Sequence, residues 1–239
     1  MRVTRLLRPR PLAVAGVAAL SVLAVVGLPA SASTPGADLR VTNDNGANGG
    51  YVSNYNLNNP GSPVAKDDQT LAECSRSRGR QNEPSVALDP RNPNVIVGSS
   101  NDYCGVYNDS ADADGAPIAS GPIWLGYYRS VNGGPFQSSL VPGYPGDNTP
   151  YASRAKIRTA SSGDPVLAWD AQGRLFAGSE SSADANGTPK GFGDVYVASY
   201  VNPGGPSAAT VNDGKEFARS VIVAKGSLAP TTARRSPRR

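Results

Sequence analysis

Short apolar runs separated by turn residues dominate the middle of the chain. The segment "EPSVALDPRNPNVIVGSSND", which begins at Glu83, contains two such runs with Asp-Pro and Asn-Pro pairs between them. The segment "DPVLAWDAQGRLFAGS", which begins at Asp164, repeats this arrangement. Apolar and polar residues that alternate over a few positions, bounded by Gly, Pro, Asn and Asp, are typical of β-strands and hairpins. The pattern predicts an all-β fold.

Eight strands are predicted, in two groups of four. The first group comprises residues 84–89, 95–98, 124–130 and 136–141, and the second comprises residues 165–170, 175–179, 194–201 and 216–224. No segment beyond the first 32 residues has the 3.6-residue period of an amphipathic helix. Each group is therefore expected to form a four-stranded meander, within residues 83–142 and 163–225 respectively.

The two groups align as copies of one unit. The alignment places Glu83 on Asp164, residues 97–99 on residues 177–179, and residues 125–128 on residues 195–198. A repeated four-stranded unit with loops of variable length is typical of β-propeller blades. The alternative is a β-sandwich, which also has short strands and turns rich in Pro and Gly. The internal repeat favours the propeller.

The region before the strands divides into two segments. Residues 1–32 carry four arginines, then an apolar run and the small residues Ala30-Ser31-Ala32, a pattern that predicts a cleaved signal peptide and a secreted, extracellular protein. The apolar run is short and adjoins the cleavage pattern, so no stable membrane span is predicted. Residues 33–82, which are rich in Gly and Asn, are predicted to form an irregular N-terminal arm.

The β pattern stops at Gly226, and residues 227–239 are predicted to be a basic, disordered tail. Closed propellers have typically four to eight blades, so two units predict an incomplete propeller. A reading frame that ends early would produce such a tail. We therefore expect an inactive, truncated fragment as one alternative, with sheet faces exposed.

The charge of the chain argues against a nucleic-acid partner. The pI is about 9.1, but eight of the 23 basic residues lie in the first ten and the last six positions. The remaining chain has 15 basic and 19 acidic residues, and nucleic-acid binding requires a basic stripe on the folded domain.

The scarce residue types restrict the chemistry. The absence of histidine excludes Ser-His-Asp triads, Cys-His proteases and His-based metal sites. The two cysteines, Cys74 and Cys104, are predicted to form a disulfide in an exported protein, and two free thiols are the alternative.

The two repeats resemble the blade openings of secreted bacterial sialidase-like propellers, the exo-alpha-sialidase or neuraminidase-repeat family. The turn "SVNGGPF", residues 130–136, keeps the Ser, the Gly and the aromatic residue of an Asp-box, but it has Asn132 in place of Asp and lacks the Thr. The second copy, residues 199–205, departs further, and the resemblance covers about residues 74–225. It implies hydrolysis of terminal acidic sugars of extracellular glycans or glycoconjugates, by a Tyr-Glu pair, an Asp and an arginine cluster.

The residues available for that chemistry flank the first predicted hairpin. Arg78, Arg80 and Glu83 precede its first strand, and Asp102 and Tyr103 follow its second, so all five are expected near one end of the hairpin. The resemblance implies catalytic roles for Asp102, Tyr103 and Glu83, and substrate binding by Arg78 and Arg80. The alternative is ordinary surface ion pairing and loop chemistry.

No cofactor is predicted. Asp109, Asp112 and Asp114 offer oxygen ligands for calcium, but their spacing does not fit an EF-hand loop and the closing Glu is missing. No metal site is therefore assigned. Besides the glycosidase, a non-catalytic propeller that binds carbohydrate or protein at the cell surface fits the sequence.

Overall fold

The fold consists of two four-stranded antiparallel sheets, which confirms the all-β prediction. The computed structural model describes residues 38–64, 68–76, 81–104, 123–157, 161–182 and 193–226. The predicted signal peptide, the predicted tail and the three aspartates considered for calcium lie outside these ranges.

Each sheet is built from consecutive strands. The first sheet has the order β1 (Gln81–Asp89), β2 (Asn92–Asp102), β3 (Trp124–Val131) and β4 (Gln137–Leu140). The second has the order β5 (Ser161–Trp169), β6 (Leu175–Ser182), β7 (Gly193–Val201) and β8 (Glu216–Lys225). All eight predicted strands are present, and β1, β2 and β5 extend several residues beyond the predicted ends.

The same backbone irregularity begins both sheets. Glu83 in β1 and Asp164 in β5 have positive φ angles of 52° and 54°, and each lies at a shift in register with the neighbouring strand. A β-bulge of this kind bends the strand and redirects a side chain. The alignment of Glu83 with Asp164 is therefore confirmed by geometry.

The pairing beyond the bulges corrects one part of the sequence alignment. Val86 pairs with Gly98, and its counterpart Leu167 pairs with Ala177, so Gly98 corresponds to Ala177. The predicted match of residues 97–99 with 177–179 is wrong by one position, because the β1–β2 connection is two residues longer than the β5–β6 connection. The third strands match as predicted, since Gly98 and Ala177 pair with residues 128 and 198.

The core lies between the two sheets. Tyr127 of β3 stacks on Tyr200 of β7, with ring centroids 4.4 Å apart, and Phe217 of β8 packs against Tyr200. The Tyr127 hydroxyl donates to the carbonyl of Gly214. Arg129 also crosses to the second sheet, where it donates to the carbonyls of Val211 and Asp213 in the β7–β8 connection. Aromatic stacking and charge-assisted hydrogen bonds thus join the sheets.

The N-terminal arm is more regular than predicted. It contains two helices, α1 (Asn54–Asn58) and α2 (Gln69–Arg76), so the prediction of an irregular arm without a helix is wrong. The Asp68 carboxylate caps α2 by accepting from the backbone N–H of Leu71 at 3.0 Å. Only Leu71 and Cys74 of α2 are buried, which is too few positions for a visible period in the sequence.

The arm pairs with the edge of the first sheet and covers part of the face that points away from the second sheet. Tyr51 forms a parallel bridge with Ser138 of the edge strand β4, and the backbone N–H of Val52 donates to the Ser138 carbonyl at 2.9 Å. The Asn43 side chain donates to the carbonyl of Phe136 at 2.9 Å. These contacts occupy backbone groups that an open edge strand would expose. Neither described helix has the length or apolar character to cross a membrane.

Candidate functional site

Two carboxyl groups from different sheets meet at the bulges. Glu83 and Asp164 occupy equivalent bulge positions, both are exposed, and their side chains share a hydrogen bond. The buried amide of Asn101 on β2 lies beside them, with Nδ2 donating to Glu83 Oε2 at 2.8 Å. Its Oδ1 accepts from the Asp164 backbone N–H at 2.7 Å. One amide therefore holds both acidic residues in place and links the sheets.

The carboxyl cluster raises the pKa of Glu83. The hydrogen bond with Asp164 is the largest cause, and the donation from Asn101 opposes it. Repulsion from the charges of Asp164 and Glu180 also raises the pKa. A second carboxylate beside Glu83 disfavours the ionised form of Glu83. The result is an exposed acid with an altered pKa, which is the kind of group that proton-transfer sites contain.

Asp102 lies at the same end of the first sheet as Glu83, but on its opposite face. It is completely buried, and its Oδ2 accepts hydrogen bonds from the hydroxyls of Tyr51 at 2.6 Å and Tyr128 at 2.7 Å. Its Oδ1 accepts from the backbone N–H of Cys104 at 3.0 Å and from Gln81 Nε2 at 3.3 Å. Asp102 thus ties the arm and β3 to the end of β2.

Burial decides the electrostatics of Asp102. Desolvation raises its pKa, and the hydrogen bonds from Tyr51 and Tyr128 lower it in part. The pKa of Tyr128 is raised by its own burial. In this arrangement the carboxyl group has no path to solvent, so it favours a structural role. Its catalytic assignment stays a prediction.

The other sequence-predicted residues divide between described and undescribed positions. Tyr103 is half-buried, and its hydroxyl accepts a hydrogen bond from Nδ2 of Asn82 at 3.5 Å. Asn82 directly precedes Glu83 in the chain. Arg78 and Arg80 lie outside the described residues. The register confirms that the two ends of the hairpin are neighbours, because Gln81 pairs with Asp102.

The predicted disulfide is present. Cys74 at the end of α2 and Cys104 just after β2 are bonded, with their Cα atoms 4.5 Å apart and both residues buried. The bond attaches the arm to the strand end that carries Asp102 and Tyr103. The disulfide therefore fixes the position of the strand end that contains the buried Asp102 and the half-buried Tyr103.

Sequence reasoning missed Asp164 and Asn101 as site residues. Asp164 could have been found, because the alignment already placed it on Glu83. Asn101 gave no such signal, since an Asn at a strand end is common in loops and turns. Its role depends on the packing of the second sheet against the first. Among the described residues, no group of three or more cysteines and acidic residues is arranged to hold a metal ion.

A separate groove lies between the arm and β4. Its volume is about 360 Å³, and its lining contains Val52 and Phe136 together with the amides of Asn48 and Gln137. The lining residues carry no charge. An aromatic side chain beside amide groups suits a neutral, hydroxyl-rich ligand, because it combines an apolar surface with hydrogen-bonding groups.

The comparisons with known proteins are sparse. No family model matches the chain, and no curated protein matches it. One solved structure, a glycosyl hydrolase from Bacteroides ovatus, is similar at 17% identity and a TM-score of 0.31. The match covers 60% of this chain and 31% of that structure. The chain thus spans about a third of the length of that protein, and a likeness of this degree does not establish a shared fold or activity.

Proposed function

We propose that the chain is part of a sialidase-like β-propeller in which each four-stranded sheet is one blade. Two features support this fold over a sandwich. Every described strand pairs with its neighbour in the chain, and no strand passes from one sheet to the other, as Greek-key sandwiches require. The sheets also stack in the same orientation: Ser85 points toward the second sheet, whereas its counterpart Val166 points away from the first.

The proposed activity is hydrolysis of a glycosidic bond, with export to act on extracellular glycans. The observation that carries this proposal is the exposed Glu83 carboxyl beside Asp164, because this neighbour raises the pKa of Glu83 and makes it a candidate general acid. Tyr103, at the same strand end, is the candidate nucleophile that the family resemblance implies.

The preference for acidic sugars remains a proposal from sequence. It depends on Arg78 and Arg80, whose guanidinium groups would pair with a sugar carboxylate. The alternative function is carbohydrate binding without catalysis, and the uncharged groove beside Phe136 and Gln137 favours it. The two functions predict different ligands, because that groove suits neutral sugars.

Hydrolysis of fluorogenic glycosides, neutral and sialylated, tests the proposal. We expect Glu83→Gln to lower kcat about 10²-fold or more, because the general acid is lost. Activity should fall as the pH rises through the pKa of Glu83, since the acid must be protonated. Asp164→Asn should move this alkaline limb to lower pH, because it removes the neighbouring carboxyl group whose hydrogen bond and charge raise the pKa of Glu83.

Asp38→Asn is the matched control, since Asp38 is an exposed carboxylate outside the pair, and its rate should equal that of the unchanged chain. An unchanged rate in Glu83→Gln would contradict the catalytic assignment. Binding of neutral sugars without hydrolysis, lost in Phe136→Ala, would instead support the binding function.

A further inference from the structure

The two sheets stack face to face, which leaves one outer face on each sheet. Each outer face corresponds by position to a face that is used in the contact between the two sheets. Within the chain, the first sheet contacts the second through the face that carries Ser85 and Tyr127, and the Ser85 Oγ accepts from the Leu167 backbone N–H at 3.2 Å. The strand pairing makes Val166 and Val197 the counterparts of these two residues on the second sheet. Both counterparts lie on its outer face.

This outer face carries several exposed valines in the described part of the chain. Val166 is 66% exposed, and Val195 and Val221 are each 40% exposed. Val221 pairs with Val197, so the three exposed valines span β5, β7 and β8 of one sheet. We call Val166, Val195 and Val221 the head surface. Contiguous exposed apolar surface of this kind marks an interaction site.

The outer face of the first sheet also carries exposed apolar residues. Val86 and Leu88 on β1 are 66% and 54% exposed, and their counterparts in the second sheet are Leu167 and Trp169. Those counterparts pack against the core between the sheets. Val86 and Leu88 thus hold the positions that meet a preceding sheet.

The arm leaves these positions open. It contacts Ser138 on β4, but Val86 and Leu88 on β1 remain exposed. Val41, 38% exposed, lies over Gly98, the partner of Val86, and Leu39 two residues earlier is 52% exposed. We call Leu39, Val41, Val86 and Leu88 the tail surface.

We propose that the head surface of one molecule docks on the tail surface of a second copy of this chain. The second copy is the occupant because the chain already uses this pairing internally, between the β1 face that carries Ser85 and the β5 face that carries Leu167. The contact is head-to-tail, so it generates a ring or an open chain of molecules and not a closed two-fold dimer. It does not depend on the proposed glycosidase activity.

The internal interface gives the geometry of the test. Since Ser85 lies against Leu167, the equivalent neighbours between molecules are position 166 of one copy and position 86 of the next. An oxidised mixture of full-chain Val166→Cys and Val86→Cys proteins should form a disulfide-linked dimer, with the 86–166 peptide pair identified by mass spectrometry. Each protein alone should remain largely unlinked, and a mixture of Val166→Cys with Ser153→Cys, an exposed serine elsewhere, should do the same.

Sedimentation velocity provides the second measurement. The unchanged chain should associate more as its concentration rises, Val166→Asp should abolish the association, and Ser153→Asp should leave it unchanged. Both altered positions are exposed, and equal melting temperatures would show that the fold is retained. Linkage of Val166→Cys to itself alone, or a chain that stays monomeric at every concentration, would overturn the proposal.

Discussion

At the scale of single residues, the first sheet is stabilised by Tyr128, whose side chain lies along its own strand over Gly126. The ring of Tyr128 extends over Gly126 to reach Asp102, and its hydroxyl also lies 2.9 Å from the Ser100 hydroxyl. A glycine is required at position 126 because a Cβ atom there would collide with the Tyr128 hydroxyl. The hydrogen bonds of Asp102 therefore depend on the absence of a side chain two residues before Tyr128.

We predict that Gly126→Ala destabilises the protein by about 1–3 kcal/mol, the usual cost of overpacking a core. The added methyl group displaces the Tyr128 ring and removes one donor from the buried Asp102 carboxyl. Urea unfolding measures the change. Gly178→Ala is the matched control, because this strand glycine has no neighbour closer than 3.8 Å to the added Cβ. Equal stability of the two variants would show that Tyr128 has room to move.

The carboxyl groups of Glu83 and Asp102 lie near each other in the fold but differ completely in exposure. Glu83 and Asp102 lie at the same end of the β1–β2 pair, yet Glu83 is exposed and Asp102 is completely buried. The reason is the β-bulge at Glu83, because a regular strand would place Glu83 on the same face as Gln81, the partner of Asp102, and the bulge redirects its side chain. The second sheet contacts one face, and the arm covers the part of the other face that contains Asp102.

At the scale of elements, the disulfide determines how firmly the arm is attached. It joins α2 to the end of β2 across 30 residues of sequence, and the Asp102–Tyr51 hydrogen bond lies on the same face of the sheet. In the loop-entropy account, closing a loop of this length stabilises the folded state by about 3–4 kcal/mol. The arm has only short helices of its own, so its order depends on such attachments.

We predict that the double variant Cys74→Ala, Cys104→Ala loses about 3 kcal/mol of unfolding free energy and exposes the arm to proteolysis. Limited proteolysis with mass spectrometry should show early cleavage among residues 38–76, followed later by cleavage in the sheets. The unchanged protein should carry no free thiol when it is denatured without reductant. Cleavage that begins in the sheets in both proteins would show that the arm is held by other contacts.

At the scale of the whole molecule, the fold raises the pKa of several carboxyl groups. Burial is the largest cause of the raised pKa values of Asp89, Asp102 and Asp147. Asp89 lies at the junction of the sheets, where Asp213 repels its charge and Arg91 attracts it. Because the folded state holds these protons more tightly than the unfolded state, their contribution to stability is present at low pH and decreases as the pH rises.

We predict that the melting temperature rises as the pH falls from 7.5 toward about 5, above the ordinary carboxyl pKa of about 4. Each unit of raised pKa corresponds to about 1.4 kcal/mol. Asp170 acts in the opposite sense, because hydrogen bonds from Arg174 and Gln172 outweigh its desolvation and lower its pKa, so its contribution is lost only in stronger acid. Calorimetry across this pH range measures the effect.

Asp89→Asn provides the control for this prediction. The Asn side chain keeps an acceptor for the Arg91 backbone N–H, which Asp89 Oδ1 accepts at 2.9 Å, but it cannot ionise. The variant should therefore gain stability at neutral pH and lose part of the pH dependence. A melting temperature that falls steadily between pH 7.5 and 5 would contradict the prediction.

The amino-acid sequence by itself determined the strands, their grouping and the disulfide. Apolar alternation and turn residues are local signals, so all eight strands could be predicted, as could the repeat that placed Glu83 on Asp164. Helix α2 could not, because eight residues with two buried positions give too weak a period. The sequence alignment of β2 with β6 was wrong by one residue, because the register of each strand is set by the length of its hairpin connection and not by local sequence identity.

Only the tertiary structure decided which residues form the candidate site. The sequence placed Glu83 and Asp102 together, but strand alternation and the covering arm bury Asp102 among tyrosines. The pairing of β1 with β2 brings Asn101 to Glu83, 18 residues apart in sequence, and the stacking of the second sheet brings Asp164 to Asn101, 63 residues apart. Such contacts depend on the orientation of one sheet on another, which is a property of the packed core and leaves no signal in the local pattern of residues.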